Sequence, residues 1–364
     1  DDEIEKFVEG KLPKADKNGK CSGCLLPQDN GLPLEKTAEW YYEAIMNKKE
    51  LKDKFQQKKI RISMSGGASN GDGEPLTPEE QKELLQQVAK PIVALIKEGH
   101  EIVIAHGNGP QVGMINLAFS ESQSTPNMPF PECGAMSQGY IGYHMQNAIG
   151  NELMAHNIDK TIASVVTQVI VDKNDEAFKN PRKPVGSFYN KEEADILTQS
   201  MGYQMVEDSG RGYRRVVASP MPIDVKEKAV IKSLLEAGHI VITVGGGGIP
   251  VIEKDGTLEG IAAVIDKDNA SATLAELIDA DMLVILTAVD NVFINFGKEN
   301  QEQLDEVSIE RLESLIKENH FAPGSMLPKI NATLKFAKQG KISVIASLNN
   351  AKEAFNLQAG TIIR

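Results

Sequence analysis

Short apolar runs alternate along the chain with segments whose apolar residues recur at helical spacing. A short β-branched run is typical of a buried strand, and apolar residues three or four positions apart are typical of an amphipathic helix. From residue 60 onward the alternation predicts an α/β domain in which an open, mostly parallel sheet is covered by helices on both faces. The predicted strands are residues 60–64, 101–105, 161–171, 240–244, 282–287 and 342–346.

The sequence also marks where helices begin and end. Residues 77–80 read Thr-Pro-Glu-Glu, the form of a capping box with Thr77 as N-cap and Pro78 at the first helical position. The helix that begins there keeps its apolar spacing until Gly99 ends it. Further helices are predicted for residues 135–156, 270–279 and 308–318.

Three of the predicted strands run into glycine-rich turns. These turns are residues 65–71, 106–113 and 245–248. Glycine adopts positive φ and lets backbone approach a ligand, so that peptide N–H groups can cradle an anion. A glycine run can equally be a flexible surface loop. Because open α/β sheets bind ligands at the carboxyl ends of their strands, we predict a composite anion site.

Residues 263–268 read Ala-Val-Ile-Asp-Lys-Asp, which predicts an apolar strand tip that ends in charged side chains. Asp266, Lys267 and Asp268 place a carboxylate, an ammonium and a carboxylate in succession. Sites for phosphate and metal ions use this mixture of charges.

Residues 172–223 interrupt the alternation with charged and turn-forming residues. A long insertion in a compact domain is often a lid over an active site. Lys183 and the arginines Arg211, Arg214 and Arg215 give this segment the charge to meet an anionic substrate. The alternative is a simple surface excursion.

Residues 1–58 differ from the rest, with polar, lysine-rich stretches and one predicted helix at residues 37–55. That helix carries three successive aromatic residues, 40–42, which is typical of a helix that docks on a core or on another subunit. We predict a partly helical N-terminal extension, followed by a catalytic domain at residues 59–364.

Composition limits the class of partner. The chain has 39 lysines and arginines against 51 acidic residues, a net charge of −12 and a pI of about 5.1, which argues against nucleic acid. No apolar run approaches the roughly 20 residues of a membrane span and no signal peptide is evident, which predicts a soluble, cytoplasmic protein. Cys21 and Cys24 have CxxC spacing, but nothing nearby completes a zinc site of four ligands.

Six stretches together resemble the carbamate kinases, which have the amino-acid-kinase fold, and the resemblance runs from about residue 60 to residue 364. The matching stretches are His106-Gly-Asn-Gly-Pro-Gln-Val-Gly113, Ala135-Met-Ser-Gln-Gly-Tyr-Ile-Gly-Tyr143, Lys183-Pro-Val-Gly-Ser-Phe188, Gly245-Gly-Gly-Gly-Ile-Pro-Val251, Ala263-Val-Ile-Asp-Lys-Asp268 and Gly324-Ser-Met-Leu-Pro-Lys329. The resemblance implies a three-layer fold with a protruding lid, a homodimer, and reversible phosphoryl transfer between carbamoyl phosphate and ADP. That reaction gives ATP and carbamate, as in arginine deiminase fermentation. Mg²⁺ is expected to arrive with the nucleotide and to have no direct protein ligand.

The resemblance also implies a role for individual residues. Lys267 and Lys329 are expected to contact the transferring phosphoryl group and the nucleotide phosphates, Lys183 to reach in from the lid, and Asp266 to orient Lys267 or a metal-bound water. The expected phosphate- and carbamate-binding residues are Gly66, Gly67, Gly107, Asn108, Gly109, Gly245, Gly246 and Gly247. The expected nucleotide-binding residues are Lys267, Asp290, Val292, Asn295, Met326 and Lys329.

The first glycine turn departs from the family pattern, which is usually Gly-Gly-Asn-Ala. Here the chain reads Ser-Gly-Gly-Ala at residues 65–68, so that Gly67 or Ala68 stands where the asparagine is expected. We expect an active but slowed enzyme. Two alternatives remain open: a degenerate kinase fold that serves as a binding or regulatory subunit, and an amino-acid kinase acting on another carboxylate.

Overall fold

The computed structural model of the chain describes residues 59–64, 76–208, 210–323 and 325–364. The predicted extension at residues 1–58, with its helix and its cysteine pair, lies outside the described residues. So does the first glycine turn, with Gly66 and Gly67.

Seventeen described strands form four sheets. Their bounds are β1 Lys59–Met64, β2 Glu101–His106, β3 Ile162–Ser164, β4 Gln168–Val171, β5 Lys183–Tyr189, β6 Gln204–Glu207, β7 Tyr213–Val217, β8 Pro222–Val225, β9 Ile240–Ile242, β10 Ile249–Lys254, β11 Thr257–Gly260, β12 Met282–Thr287, β13 Val292–Ile294, β14 Glu302–Leu304, β15 Glu306–Val307, β16 Ile342–Ser347 and β17 Thr361–Ile363.

The largest sheet has eight described strands in the order β15-β17-β16-β12-β1-β2-β9-β3. Strand β1 lies near its centre, where Ile60 is in register with Ile102 of β2 and with Met282 of β12. These neighbours run parallel, and within the described sheet β17 turns antiparallel to β16. Buried side chains pack between the sheet and helices on both faces, which confirms the predicted three-layer α/β architecture.

The described residues form nine α-helices. Their bounds are α1 Pro78–Lys97, α2 Gly109–Glu121, α3 Phe130–Ala155, α4 Lys191–Met201, α5 Lys228–Glu236, α6 Lys267–Leu277, α7 Ile309–Lys317, α8 Met326–Ala337 and α9 Ala351–Phe355. The capping box of α1 forms as predicted: the Thr77 hydroxyl accepts from the Glu80 N–H, and Glu80 accepts from the Thr77 N–H. None of these helices is long and apolar enough to cross a membrane.

The predicted strand at residues 161–171 is two strands, because the chain turns at Thr167. There the Thr167 N–H donates to Gln138 Oε1 at 2.8 Å, and its hydroxyl donates to the Val165 carbonyl at 2.7 Å. Side-chain bonds replace ladder bonds at this point, so β3 joins the large sheet and β4 joins a second sheet, β11-β10-β4-β8.

The predicted strand tip at residues 263–265 is wrong: Ala263 makes a single bridge to Ala218 and belongs to no strand. The helix that follows begins at Lys267, three residues before the predicted start, because the Asp266 side chain caps it.

Residues 183–217 form a third, antiparallel sheet in the order β5-β7-β6, joined by α4. We refer to β5, α4, β6 and β7 as the lid, following the predicted insertion at residues 172–223. Its function as a lid stays a prediction. The pairing of β5 with β7 breaks between Val185 and Tyr189, where β5 bulges.

Candidate active site

The N-terminus of α6 is held by Asp266, which makes contacts in two directions. Its Oδ1 atom accepts hydrogen bonds from the backbone N–H groups of Asp268 at 2.9 Å and Asn269 at 3.4 Å, as an N-cap residue does. Its Oδ2 atom accepts from Lys183 Nζ at 2.8 Å. One carboxylate therefore ties lid strand β5 to the start of α6.

Two lysines meet on a second carboxylate. Lys267 Nζ donates to Asp268 Oδ1 at 2.6 Å, and Lys329 Nζ, from the first turns of α8, donates to Asp268 Oδ2 at 2.8 Å. The Asp268 side chain is only 2% exposed, and the lysine side chains are 15% and 13% exposed. The two ammonium groups are thus largely shielded from water, and their bonds to Asp268 hold them in fixed positions.

The local charge is positive. Burial alone would raise the pKa of Asp268, but Lys267 and Lys329 outweigh that effect and lower it to about 2. Burial, together with the nearby charge of Lys329, lowers the pKa of Lys267, while Asp268 opposes that change. Three lysines share two carboxylates at this place, so an anionic ligand would relieve the excess of positive charge.

The structure differs from the sequence analysis on which carboxylate contacts Lys267. Asp266 was expected to orient Lys267 or a metal-bound water. The direct hydrogen bond from Lys267 goes to Asp268, while Asp266 holds Lys183. The reason is the early start of α6. With Asp266 at the N-cap, its side chain turns back over the helix N-terminus, and Asp268 faces the lysines from inside the first turn. The sequence analysis did not assign this function to Asp268.

The third glycine turn is confined by its neighbours. Gly246, Gly247 and Gly248 have φ of 65°, 94° and 85°, in the left-handed region. A Cβ atom at Gly246 would overlap the Asn108 side chain, and one at Gly247 would overlap the Ile265 carbonyl. Glycine is therefore required here both by backbone conformation and by space.

The second glycine turn is anchored by polar bonds. Asn108 Nδ2 donates to Ser137 Oγ at 2.7 Å, and Ser137 Oγ donates to the Gly134 carbonyl at 2.7 Å, which fixes the turn to α3. His106 Nδ1 lies 2.9 Å from the Gly107 carbonyl. Since a carbonyl only accepts, Nδ1 carries the proton.

His106 is neutral in this position. Burial lowers its pKa to about 4, with the nearby charge of Lys267 acting in the same direction and the bond to Gly107 opposing both. The sequence analysis included His106 in a motif but gave it no role. The His106 ring occupies the space that a Cβ atom of Gly245 would need. This residue of the second glycine turn therefore packs directly against the third.

A separate pocket of about 230 Å³ ends at Lys329. Of the residues expected to bind nucleotide, Met326 and Lys329 line this pocket. Its described lining residues are Thr287, Val289, Phe293, Phe296, His320, Phe321, Ala322, Ser325, Met326 and Lys329. Apolar and aromatic walls next to an ammonium group suit a planar base with phosphates attached.

The other residues expected to bind nucleotide lie beside this pocket. Asp290 accepts from Asn350 Nδ2 at 3.0 Å, and the buried Val292 donates its N–H to Thr361 Oγ1 at 2.8 Å. Asn295 has φ of 51° and donates from Nδ2 to the Asn300 carbonyl. Among the described residues, no group of three or more His, Cys, Asp and Glu side chains is placed to hold a metal ion.

The sequence profile of the amino acid kinase family matches residues 59–346. The chain belongs to this family. It is 52% identical to the carbamate kinase of Clostridium perfringens over 311 residues, which span 84% of this chain and 99% of that protein. The carbamate kinase-like protein YqeA of Escherichia coli is also 52% identical, over 312 residues.

A solved structure extends the comparison to the fold. Carbamate kinase from Giardia lamblia bound to AMP-PNP matches with a TM-score of 0.79 and 41% identity, over 85% of this chain and 99% of that one. The chain therefore has a carbamate-kinase-like fold.

Proposed function

We propose that the protein is a carbamate kinase that transfers a phosphoryl group between carbamoyl phosphate and ADP. Carbamoyl phosphate and ADP give ATP and carbamate, which then decomposes to ammonia and carbon dioxide. One observation carries the proposal: Lys267 and Lys329 converge on Asp268, and Lys183 meets Asp266 beside them. The identity to carbamate kinases supports the choice of substrate.

The geometry suits phosphoryl transfer because that reaction needs charge neutralisation more than covalent help. Negative charge spreads over the oxygens of the transferring group, and fixed cations stabilise it in a site with little water. We assign Lys267 and Lys329 to the phosphoryl and nucleotide phosphate oxygens and Lys183 to the substrate from the lid. We assign the peptide N–H groups at residues 107–109, 245 and 246 to the rest of the cradle. The Gly247 N–H, which was also expected to bind the anion, donates instead to the Val244 carbonyl at 2.9 Å.

The carboxylates beside the lysines are consistent with a magnesium ion that is bound by the nucleotide phosphates and has no direct protein ligand. Asp266 and Asp268, the carboxylates at this place, are already engaged by lysines and by the α6 backbone. Bound Mg²⁺ supplies further neutralisation of the phosphate charge. The lysines of this chain orient the phosphate oxygens, and the pocket at Met326 and Lys329 holds the base.

A coupled assay tests the activity. Purified protein with Mg²⁺ and ADP should form ATP from carbamoyl phosphate. Lys267→Ala and Lys329→Ala should each lower kcat by on the order of 10²-fold, the scale for loss of a preorganised charged donor. Lys335→Ala is the control, since Lys335 lies on the same helix as Lys329 and pairs with Glu276 instead. Nucleotide binding without turnover would reject the proposal.

The altered first turn favours a second candidate, a binding or regulatory subunit with weak activity. In related kinases the asparagine offers an amide N–H where Gly67 or Ala68 stands here. Gly67→Asn and Ala68→Asn should raise kcat if the missing amide limits the reaction. Folded variants that are no faster would show that another group already does its work.

The third candidate is an amino-acid kinase of different specificity. Testing other carboxylates as phosphoryl acceptors would distinguish it from a carbamate kinase.

We further propose a cytoplasmic homodimer that acts in arginine deiminase fermentation. One face of α3 supports the dimer: Met136, Tyr143 and Met154 are 38%, 59% and 68% exposed and lie 7 and 11 residues apart, in line along the helix. Exposed apolar lines of this kind often mark interfaces. Light scattering should give a dimer, and Tyr143→Glu should give a monomer. A monomeric parent protein would exclude this assembly.

A further inference from the structure

Arg215, on lid strand β7, makes its printed contacts with aromatic and polar residues outside the lysine site. Its guanidinium carbon lies 3.7 Å from the centre of the Tyr203 ring and 5.5 Å from that of Phe130. Its Nη1 atom donates to Asn116 Oδ1 at 3.1 Å. Arg215 therefore joins the lid to α2 and to the start of α3 through aromatic and neutral polar contacts.

Among the described residues, no carboxylate makes a direct ion pair with Arg215. Among the described residues no Asp or Glu oxygen lies within 4.0 Å of its guanidinium, whereas Arg214 next to it pairs with Asp208 at 3.2 Å. Burial lowers the pKa of Arg215, and the groups that oppose this change are Tyr203, Tyr189 and Cys133, all neutral in their ordinary state. A half-buried cation without a directly paired carboxylate is costly, so the position suits an anion.

Arg215 also lies where two pockets meet. The larger has a volume of about 610 Å³ and the smaller about 190 Å³. Both are lined by Asn116, Ser120, Phe130, Met201, Tyr203 and Arg215. Half of these residues come from the lid and half from α2 and α3. The pockets therefore lie between the lid and these two helices.

We propose that this lid–body pocket binds a small monocarboxylate with a short apolar chain. The carboxylate would pair with Arg215, and the chain would lie against Met128, Phe130 and Met201, which line the larger pocket. A single charge is favoured over a phosphate dianion because Glu132 lines the larger pocket and Glu121 the smaller. Those carboxylates would repel a second negative charge.

The pocket is distinct from the lysine site. The described residues that line it include none of Lys183, Lys267 and Lys329. Arg215 nevertheless pairs in the β5–β7 ladder with Val185, two residues beyond Lys183. A ligand held between lid and body would restrain β5 and, with it, the position of Lys183. This regulatory consequence rests on the proposed function, whereas the binding site does not.

Calorimetric titration of the nucleotide-free full chain with isovalerate tests the site. Isovalerate should bind, while isovaleramide, its uncharged counterpart, should bind at least about tenfold more weakly, the scale for loss of a charged hydrogen bond. Arg215→Gln should weaken isovalerate binding by a similar factor. Arg211→Gln is the control, since it removes the same charge from an exposed lid arginine outside the pocket.

Two further variants make the result decisive. Ala262→Trp fills the larger pocket without replacing Arg215 and should abolish binding even if Arg215→Gln does not fold. Lys267→Ala should leave binding unchanged, because it alters the lysine site alone. No isovalerate binding, equal binding of isovaleramide, or binding that survives Ala262→Trp would each overturn the proposal. These outcomes do not depend on whether the protein makes ATP.

Discussion

Lys329 Nζ donates to Asp268 Oδ2 at 2.8 Å and so joins the first turns of two helices, α8 and α6. A lysine near a helix N-terminus opposes the helix dipole, and both helices carry one there. Such an arrangement costs stability unless a carboxylate compensates it. Asp268 is that carboxylate, and the positive charge left over suits the anionic substrate that we propose for this site.

Asp268→Asn should lower kcat by about 10²-fold, because both ammonium groups lose their shared counter-charge and their fixed positions. The pKa of Lys267 should fall further, since Asp268 contributes more than Asp266 to raising it. The alkaline limb of the pH–rate profile should therefore shift to lower pH. Asp279→Asn is the control, as Asp279 is 91% exposed and pairs with Lys341 outside the site. An unchanged profile would mean that Asp268 does not hold the lysines in the working enzyme.

His106 should make the protein less stable in mild acid. Its pKa is about 4 in the folded chain and 6.5 when exposed, so the unfolded state binds the proton first as the pH falls. Stability is complete above pH 6.5 and is lost progressively down to about pH 4, by about 3 kcal/mol in all. Denaturant unfolding from pH 7.5 to 4.5 should show a steeper loss than in His106→Gln. If the free energy of unfolding falls equally with pH in the parent and in His106→Gln, the His106 ring is not buried in its neutral form.

The lysines of the site were predictable from sequence because each lies in a motif of its own. Their partner was not, since Asp268 and Lys329 are 61 residues apart and meet only through the packing of α6 on α8. Asp266 appeared the better candidate because sequence alone does not show which carboxylate caps the helix.

The sheet was predicted well where strands are apolar and long, as at residues 282–287, which match β12. The break at Thr167 was missed because it depends on Gln138, which is distant in sequence and competes for backbone hydrogen bonds. The lid arginines were recognised as a charged cluster, but alternation along β7 sends Arg214 and Arg215 to opposite faces. Which residues each arginine contacts could therefore be predicted only from the fold.

Arg214 should act as a positioning residue for Lys183. Its Nε and Nη2 atoms donate to the Gly186 carbonyl at 3.2 and 3.0 Å, in the bulge where β5 leaves its pairing with β7. Arg214→Ala should release β5 and lower kcat with carbamoyl phosphate by about tenfold, with little change in KM for ADP. Arg214→Lys should not restore the rate, because an ammonium lacks the planar fork that makes both bonds.

Arg211→Ala is the matched control for this prediction. Arg211 pairs with the same Asp208 at 3.5 Å, and both arginines lie over the Phe188 ring, Arg211 at 4.7 Å and Arg214 at 5.0 Å from its centre. Arg211 makes no bond to Gly186 among its described contacts. If both alanine variants lose activity equally, the cluster stabilises the lid as a whole and Arg214 has no special function.

Gly246→Ala should damage both folding and activity. Its φ of 65° costs an L-residue about 1–2 kcal/mol, and the new Cβ atom would overlap Asn108, whose amide is held by Ser137. Asn108 would have to leave that bond, which would shift the second glycine turn away from the third. We expect a loss of about 2–3 kcal/mol in the free energy of unfolding and a fall in kcat on the order of 10²-fold.

Gly109→Ala separates two reasons for having glycine in these turns. Gly109 begins α2, and a Cβ atom there would meet no described atom within 4 Å. Alanine also keeps the peptide N–H that we assign to the anion and is the better helix former. The variant should unfold at the same denaturant concentration as the parent or higher, whereas Gly246→Ala should unfold earlier. If Gly246→Ala proves as stable and as active as the parent, the close approach of the two turns is not required for the reaction, and the lysines alone must hold the phosphoryl group.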